Sequence, residues 1–248
     1  MADRTVEKPR RHKKLKIVLM ALLLLLASGL FLYVSVYYHA DESAWLSMQS
    51  DETVTVVETS YGWLFDGPSG DAALIFYPGG KVEETAYAPL LHELAARGMD
   101  ACLVKMPFRL AILRENAALD VLEAHDYARW YIGGHSLGGV MAASFASGHA
   151  ELLSGIVLLA AYPVEKIPDP LTEVLIVGSE DHVLSRDRLA EGRAFAPEHC
   201  IEHVIRGGNH AQFGSYGTQK GDGVPTIDAA EQIRETLDVI LECLYPAD

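Results

Sequence analysis

The stretch that decides the fold is GHSLGG at residues 134–139, which stands between the apolar residues 130–132 and the Ala- and Gly-rich residues 138–147. A serine in a tight turn from a strand to a helix takes a strained backbone conformation, and neighbouring glycines let the two elements approach without Cβ clashes. The start of the helix also places a partial positive charge and free N–H groups beside the hydroxyl. The pattern therefore predicts a strand–turn–helix unit with Ser136 as a nucleophile.

Two downstream loops supply partners for the serine. The apolar residues 174–177 run into a turn that carries Glu180 and Asp181, and of these two carboxylates we favour Asp181 as the acid that orients a histidine. His210 lies in a glycine-rich loop after the last predicted strand and is the expected general base. Serine, carboxylate and histidine each follow the carboxyl end of a predicted strand, where a parallel sheet gathers its loops.

A fourth component is the loop YPGGKV, residues 77–82, which follows another apolar strand. An oxyanion hole needs backbone N–H groups aimed at one point, and glycine lets the backbone come close to a substrate. We expect the N–H of Leu137 to be one donor and that of Gly80 the other, with Lys81 as the alternative. An ordinary turn is the competing interpretation of this loop.

Strand-like and helix-like segments alternate from residue 52 to the end of the sequence. Short continuous apolar runs are typical of strands buried on both faces, and the alternation indicates βαβ crossovers. The sequence thus predicts an α/β fold, a mostly parallel central sheet with helices on both faces. The expected strands are 53–58, 73–77, 101–104, 130–132, 155–159, 174–177 and 201–204, and the expected helices are 87–96, 113–125, 138–147, 186–194 and 227–244.

An uncharged apolar run, IVLMALLLLLASGLFLYVSV, occupies residues 17–36. As a helix it spans roughly 30 Å, the thickness of bilayer hydrocarbon. Residues 1–16 carry seven Lys or Arg against two acids, while Asp41 and Glu42 follow the run, so the positive-inside rule predicts a cytoplasmic N-terminus and an external domain. The alternative is a cleaved secretory signal, whose apolar run is usually only about 7–15 residues long; that interpretation also exports the domain.

The expected organisation is a basic cytoplasmic tail at 1–16, a transmembrane signal anchor at 17–36, a stalk at 37–51 and one domain at 52–248. The formal net charge of the 248 residues is −14, although the tail is basic. An acidic domain is repelled by the phosphates of nucleic acids, so we do not expect this protein to bind nucleic acid.

The three cysteines predict neither a metal site nor a disulfide scaffold. Cys102, Cys200 and Cys243 form no CxxC pair and have no histidines at metal-ligand spacing. Cys102 lies in an apolar run and is expected to be packed, while a bond between Cys200 and Cys243 in an oxidising exterior stays open. The chemistry of the predicted relay needs no metal and no cofactor.

Together these motifs resemble the α/β-hydrolase superfamily over essentially all of residues 52–248. The stretches YPGGKVEETAYAPL (77–90), KMPFRLAIL (105–113) and GGNHAQFGSYGTQKGDG (207–223) are similar to a small group of lidless, often membrane-anchored bacterial members, related to dienelactone-hydrolase-like and esterase-like proteins. The resemblance implies Ser136 as nucleophile, Asp181 as acid and His210 as base. Proline stands at 78, where many esterases have histidine, which leaves the second oxyanion donor open.

The expected activity is that of a membrane-anchored serine hydrolase acting on small carboxylic esters, thioesters or lactones through an acyl-enzyme. The connection from Leu159 to Val174 has no room for a helical cap, so the site is expected to be open, with Met106, Phe108 and Phe213 near the substrate. The alternatives are a lipase or peptidase with the same relay, and a catalytically silent binding protein that kept the fold.

Overall fold

The structure, a computed structural model, describes residues 10–245 and divides into two units between Tyr37 and Tyr38. Residues 1–9 of the expected basic tail lie outside the described residues, as do residues 246–248. The first unit contains the helix α1 (Arg10–Ser35), of which Lys13–Ser35 is long and apolar enough to cross a membrane. No part of its most apolar stretch is buried, unlike the core helix of a soluble domain.

The second unit is built around one sheet of eight strands in the order β1-β2-β4-β3-β5-β6-β7-β8. Strands β3 to β8 are parallel, whereas β1 and β2 are antiparallel to their neighbours. The fold class predicted from the sequence is therefore confirmed. The strands are β1 (Thr55–Glu58), β2 (Gly62–Asp66), β3 (Ala72–Tyr77), β4 (Asp100–Val104), β5 (Arg129–His135), β6 (Gly155–Leu159), β7 (Thr172–Gly178) and β8 (His199–Ile205).

Helices cover both faces of the sheet. They are α2 (Glu42–Ser47), α3 (Ala88–Ala96), α4 (Ala118–Ala124), α5 (Leu137–Gly148), α6 (Arg186–Gly192) and α7 (Ala229–Leu244). Side chains of β3 alternate between two cores: Leu74 and Phe76 pack with α3 and α7, whereas Ile75 and Tyr77 pack with α4, α5 and α6. Because helices cover both faces of the parallel sheet, the ends of its strands and the loops that follow them are the places where a ligand can reach it.

Two elements differ from the sequence prediction. Strand β2 was not predicted, although residues 63–65 are apolar; in the structure its residues are mostly buried or half-buried and it pairs antiparallel with β4. The helix expected at 113–125 begins only at Ala118, since Arg114 takes φ −152° and short 3₁₀ turns replace the first part.

The expected stalk at 37–51 is wrong, because this segment is folded against the domain. The N–H of Tyr38 donates to Lys81 and its carbonyl accepts from Glu83, both at 2.8 Å, and the N–H of Asp41 donates to Ser215 at 2.9 Å. Helix α2 follows, with Ala44 fully buried. The polar composition of the segment is typical of a linker, but its backbone groups find partners on loops that are distant in sequence.

The three cysteines are free thiols, so the structure contains no bond between Cys200 and Cys243, while Cys102 is buried as expected. The Cys200 thiol donates to Glu173 Oε1 at 3.5 Å. Glu173, at the start of β7, is only 1% exposed, and its Oε2 has no partner among the described residues. Burial raises the pKa of Glu173 to about 7.

Glu173 predicts a loss of stability as pH rises from about 4.3 to 7. Glutamate titrates at about 4.3 when solvated, so between about pH 4.3 and 7 the folded protein binds more protons than the unfolded chain, and the free energy of unfolding falls as pH rises. Glu173→Gln should remove this decline, measured by urea unfolding of the full chain in detergent at pH 5 and pH 8. Exposed Glu165→Gln is the control; if it flattens the profile equally, Glu173 is not the cause.

Candidate functional site

Ser136 occupies the turn between β5 and α5 in the strained conformation that the sequence predicts, with φ 52° and ψ −124°. Glycine is required on both sides of the turn. A Cβ at Gly134 would lie 2.6 Å from the carbonyl oxygen of Tyr77, and a Cβ at Gly138 would collide with the same carbonyl. The turn therefore fits tightly against the end of β3 and holds the serine at the carboxyl edge of the sheet.

The carboxylate of Asp181 and the imidazole of His210 are joined across the loops that follow β7 and β8. Asp181 Oδ2 lies 2.8 Å from His210 Nδ1, and Oδ1 accepts from the N–H groups of Val183 and Leu184 at 2.9 and 2.8 Å. Burial raises the pKa of Asp181, but the contact with His210 and the two N–H groups outweigh burial and bring that pKa below its ordinary value. The carboxylate is therefore ionised and fixes the orientation of the ring.

The other acid in this turn, Glu180, takes no part in the pair. Its Oε1 accepts from the Ser179 hydroxyl at 2.9 Å. Asp181 is 2% exposed, whereas Glu180 is half-buried, so the sequence preference for Asp181 agrees with the geometry.

The second nitrogen of His210, Nε2, is buried and has no hydrogen-bond partner among the described residues. Ser136 and His210 line one cavity of about 330 Å³. Ser136 and an imidazole whose Nε2 has no partner among the described residues thus line the same cavity, and an ionised carboxylate contacts the other nitrogen of that ring. This is the order of groups needed to activate a serine for attack on an acyl carbon.

The loop after β3 lies beside the start of α5. A Cβ at Gly80 would come within 2.9 Å of the Leu137 side chain. The N–H of Lys81 donates to the carbonyl of Arg109 at 2.9 Å, which removes Lys81 from the two oxyanion alternatives. The N–H groups of Gly80 and Leu137 have no acceptor within residues 10–245 and stay available to a substrate oxygen.

A buried network that sequence reasoning missed joins this loop to the serine turn. The Tyr87 hydroxyl accepts from the N–H of Gly79 at 3.0 Å and lies 2.8 Å from His135 Nδ1. Burial, reinforced by His210, holds the pKa of His135 well below its usual range, so its ring is neutral and shares one hydrogen bond with the tyrosine hydroxyl. The sequence gives no sign of this role of His135, because its partner is 48 residues away.

The aromatic and sulfur side chains expected near the substrate lie elsewhere. Met106 and Phe108 line a separate cavity with Lys105 and Arg109, and Phe213 is 1% exposed and packs on the ring of His135. None of the three lines the cavity of Ser136, since a loop's place in the sequence does not say which way its side chains point. Besides Ser136 and His210, the cavity is lined by Leu137, Val140, Ala160, Tyr162, Val164, Val183, Leu184, Ser185 and Arg188.

Comparison with known families agrees with this architecture. Residues 73–234 match the model of the alpha/beta hydrolase family, a stretch that contains all three residues of the serine, acid and histidine set. The chain belongs to the alpha/beta hydrolase family. Within this hydrolase, a segment of 71 residues is 35% identical to a serine hydrolase-like protein of Danio rerio. That segment is 29% of this chain, and it covers 20% of the length of the relative.

Solved structures resemble this hydrolase in fold. A predicted CIB-like hydrolase from Thermoplasma acidophilum is 17% identical with a TM-score of 0.55, covering 76% of this chain and 99% of its own. TT1662 from Thermus thermophilus is 14% identical with a TM-score of 0.56, at 78% and 99% coverage. The alpha/beta hydrolase GrgF from Penicillium sp. sh18 is 11% identical with a TM-score of 0.55, at 77% and 98% coverage.

The Tyr87 hydroxyl should contribute measurably to stability. Tyr87→Phe leaves the N–H of Gly79 and the Nδ1 of His135 unpaired in a buried site, so we expect the free energy of unfolding to fall by about 1–3 kcal/mol. Urea unfolding of the full chain in detergent measures this. Tyr162→Phe is the control, since within the described chain its hydroxyl has no hydrogen-bond partner. Equal losses in the two variants would contradict the network.

Proposed function

We propose that this alpha/beta hydrolase is a serine hydrolase of the carboxylesterase type, anchored in the membrane, which cleaves small carboxylic esters, thioesters or lactones through an acyl-enzyme. The observation that carries the proposal is the 2.8 Å contact of Asp181 with His210, which leaves the opposite ring nitrogen unpaired beside the cavity that Ser136 lines.

In the first half of the reaction, His210 Nε2 takes the proton of the Ser136 hydroxyl as its oxygen attacks the acyl carbon. Asp181 stabilises the resulting imidazolium, and the N–H groups of Leu137 and Gly80 bind the oxyanion. The tetrahedral intermediate collapses when the bond to the leaving group breaks, and the leaving group receives the proton from His210. Loss of one oxyanion donor typically raises the activation barrier by about 3 kcal/mol, so a displacement of the Gly80 loop would slow the reaction.

In the second half, water attacks the acyl-enzyme and gives up its proton to His210. The acid product leaves when the bond between Ser136 and the acyl carbon breaks and His210 returns the proton to the serine. Residues 160–171, which connect β6 and β7 and are all described, contain no helix over the site. This open connection supports access from solvent without the opening of a helical cap.

Membrane anchoring is supported by the apolar helix within Lys13–Ser35. The basic residues before it and the acidic Asp41 and Glu42 after it favour a cytoplasmic N-terminus and a catalytic domain outside the cytoplasm. In this proposal residues 17–36 are a signal anchor that stays attached, and the domain acts on extracytoplasmic substrates.

The charge of the cavity supports a preference within the ester class. A second cavity of about 290 Å³ shares Tyr162, Val164 and Arg188 with the cavity of Ser136, so the two adjoin. Among the described residues that line the first cavity, Arg188 is the one with a permanent charge. Its partner Glu191, 3.5 Å away, lines the second cavity, but this ion pair is exposed and therefore weak. We therefore expect esters whose acyl group ends in an anion to have a higher kcat/KM than uncharged esters of the same length.

Replacement of the nucleophile is the direct test of the function. Ser136→Ala should lower kcat for p-nitrophenyl butyrate by about 10⁶-fold, because no oxygen remains to form the acyl-enzyme. The same variant should lose labelling by a fluorophosphonate probe, read by gel fluorescence or intact mass.

Ser185→Ala is the matched control, since Ser185 lines the same cavity and its hydroxyl accepts from the N–H of Arg188. We expect it to keep labelling and turnover. A wild-type protein that neither labels nor hydrolyses the ester would indicate a silent binding protein. Turnover that rises only when substrate forms an interface would indicate a lipase, and cleavage of amides alone a peptidase.

Arg188→Gln tests the charge preference. The ratio of kcat/KM for mono-p-nitrophenyl glutarate to that for p-nitrophenyl valerate should fall by up to about fivefold, since an exposed ion pair contributes at most about 1 kcal/mol. The two esters have acyl chains of equal length, so hydrophobic contacts cancel in the ratio. Arg193→Gln, on a residue outside this cavity that pairs with Glu202, is the control. An unchanged ratio in Arg188→Gln would rule out the anionic preference.

A further inference from the structure

We propose that Asp222 is a positioning residue that holds the loop of the acid and the loop of the base in register. This role rests on the proposed function, because it concerns the separation of Asp181 and His210. Asp222 lies in the segment between the base and α7, with no place in the serine, acid and histidine set.

The side chain of Asp222 accepts backbone N–H groups from both loops. Its Oδ1 lies 3.3 Å from the N of His182, the residue after the acid, and 3.3 Å from the N of His210 itself. Its Oδ2 accepts from the N of Ala211 at 2.9 Å, and Oδ1 also accepts from Gly223 at 2.8 Å. One carboxylate therefore bridges the backbones on which the two ionisable partners stand.

The chain beside Asp222 packs directly against the acid loop. A Cβ at Gly223 would collide with the carbonyl oxygen of Glu180, and the Gly223 carbonyl accepts from the side-chain amide of Asn209 at 3.0 Å. Residues 222 and 223 are thus wedged between Glu180, before the acid, and Asn209, before the base. The contact between the two loops therefore includes the backbone of Gly223 as well as the short side chain of Asp222.

Helix α7 fixes the base loop from the other side. Gln232, fully buried, accepts the N–H of Asn209 through Oε1 and donates to the Asn209 carbonyl through Nε2, both at 2.9 Å. This pair holds residue 209 to the helix but makes no contact with the acid loop.

Bonds between the two loops also lie just before these residues: the N–H of Glu180 donates to the Gly208 carbonyl at 2.8 Å, and the N–H of Gly207 donates to the Ser179 hydroxyl at 2.9 Å. Asp222 adds bonds to the backbone of residues 182, 210 and 211, at the acid and the base themselves and beyond them.

A carboxylate suits this position because it has two acceptor oxygens and no donor, which matches the four N–H groups it faces. Asparagine has the same shape but only one acceptor oxygen, so in Asp222→Asn a side-chain N–H faces a backbone N–H. We expect the base loop to move away from the acid loop in that variant. A displacement of about 1 Å in a catalytic group can lower turnover about 100-fold.

The experiment compares Asp222→Asn with Asp228→Asn in the full chain in detergent. Asp228 is exposed and caps α7 by accepting the N–H of Glu231 at 2.7 Å, a function that asparagine also performs. For p-nitrophenyl butyrate, we expect Asp222→Asn to lower kcat per fluorophosphonate-titrated site about 100-fold with KM within about twofold. Asp228→Asn should leave both unchanged.

Hydrogen exchange gives a readout that does not require activity. Amide exchange in the peptide 209–213 should become at least about tenfold faster in Asp222→Asn, because the Ala211 N–H loses its acceptor, with protection elsewhere in the sheet retained. Asp222→Glu keeps the carboxylate, so it should restore part of the protection and of kcat. This second variant decides the matter if Asp222→Asn does not fold.

Two outcomes overturn the role of Asp222: unchanged exchange in 209–213, or a kcat per titrated site equal to that of Asp228→Asn. A further result overturns it through the second variant, namely Asp222→Glu with neither protection nor turnover above Asp222→Asn. Failure of the proposed function gives a different result. The wild-type protein would then neither react with the fluorophosphonate nor hydrolyse the ester, while the exchange comparison would still report on the hydrogen bonds of Asp222.

Discussion

The close approach of three backbone segments at one edge of the sheet is the constraint on which the site depends. The end of β3, the end of β5 and the start of α5 lie so near one another that no Cβ fits at Gly134 or Gly138. This contact forces Ser136 into its positive φ and brings the Gly80 loop against Leu137. The strain at the serine is sustained because the surrounding sheet is buried on both faces.

Hydrogen bonds, and not only packing, hold the loops of the site in place. Tyr87 connects the glycine loop to the serine turn, and the Asp181–His210 pair connects the acid to the base. Each link joins elements that are distant in sequence and close at the carboxyl ends of parallel strands. In the proposed reaction, loops tied in this way would need little reorganisation.

The parts of the site that the sequence predicted are those with local signals. Ser136 stands in a short motif between an apolar strand and an Ala-rich helix. Asp181 follows a continuous apolar run, and His210 lies in a glycine-rich loop after the last predicted strand. The cavity lining was not predictable, because only the tertiary structure brings Tyr162 and Arg188 beside Ser136. For the same reason the sequence did not show that Met106, Phe108 and Phe213 lie outside the lining of this cavity.

The sequence by itself determined the alternation of strands and helices, the serine turn and the apolar N-terminal helix, since these depend on the periodicity and length of apolar runs and on glycine at a tight turn. The tertiary structure alone decided that residues 38–51 fold onto the domain, that His135 bonds Tyr87, and that Asp222 faces two loops. Those contacts join residues far apart along the chain, and the sheet must form before their polar groups can meet.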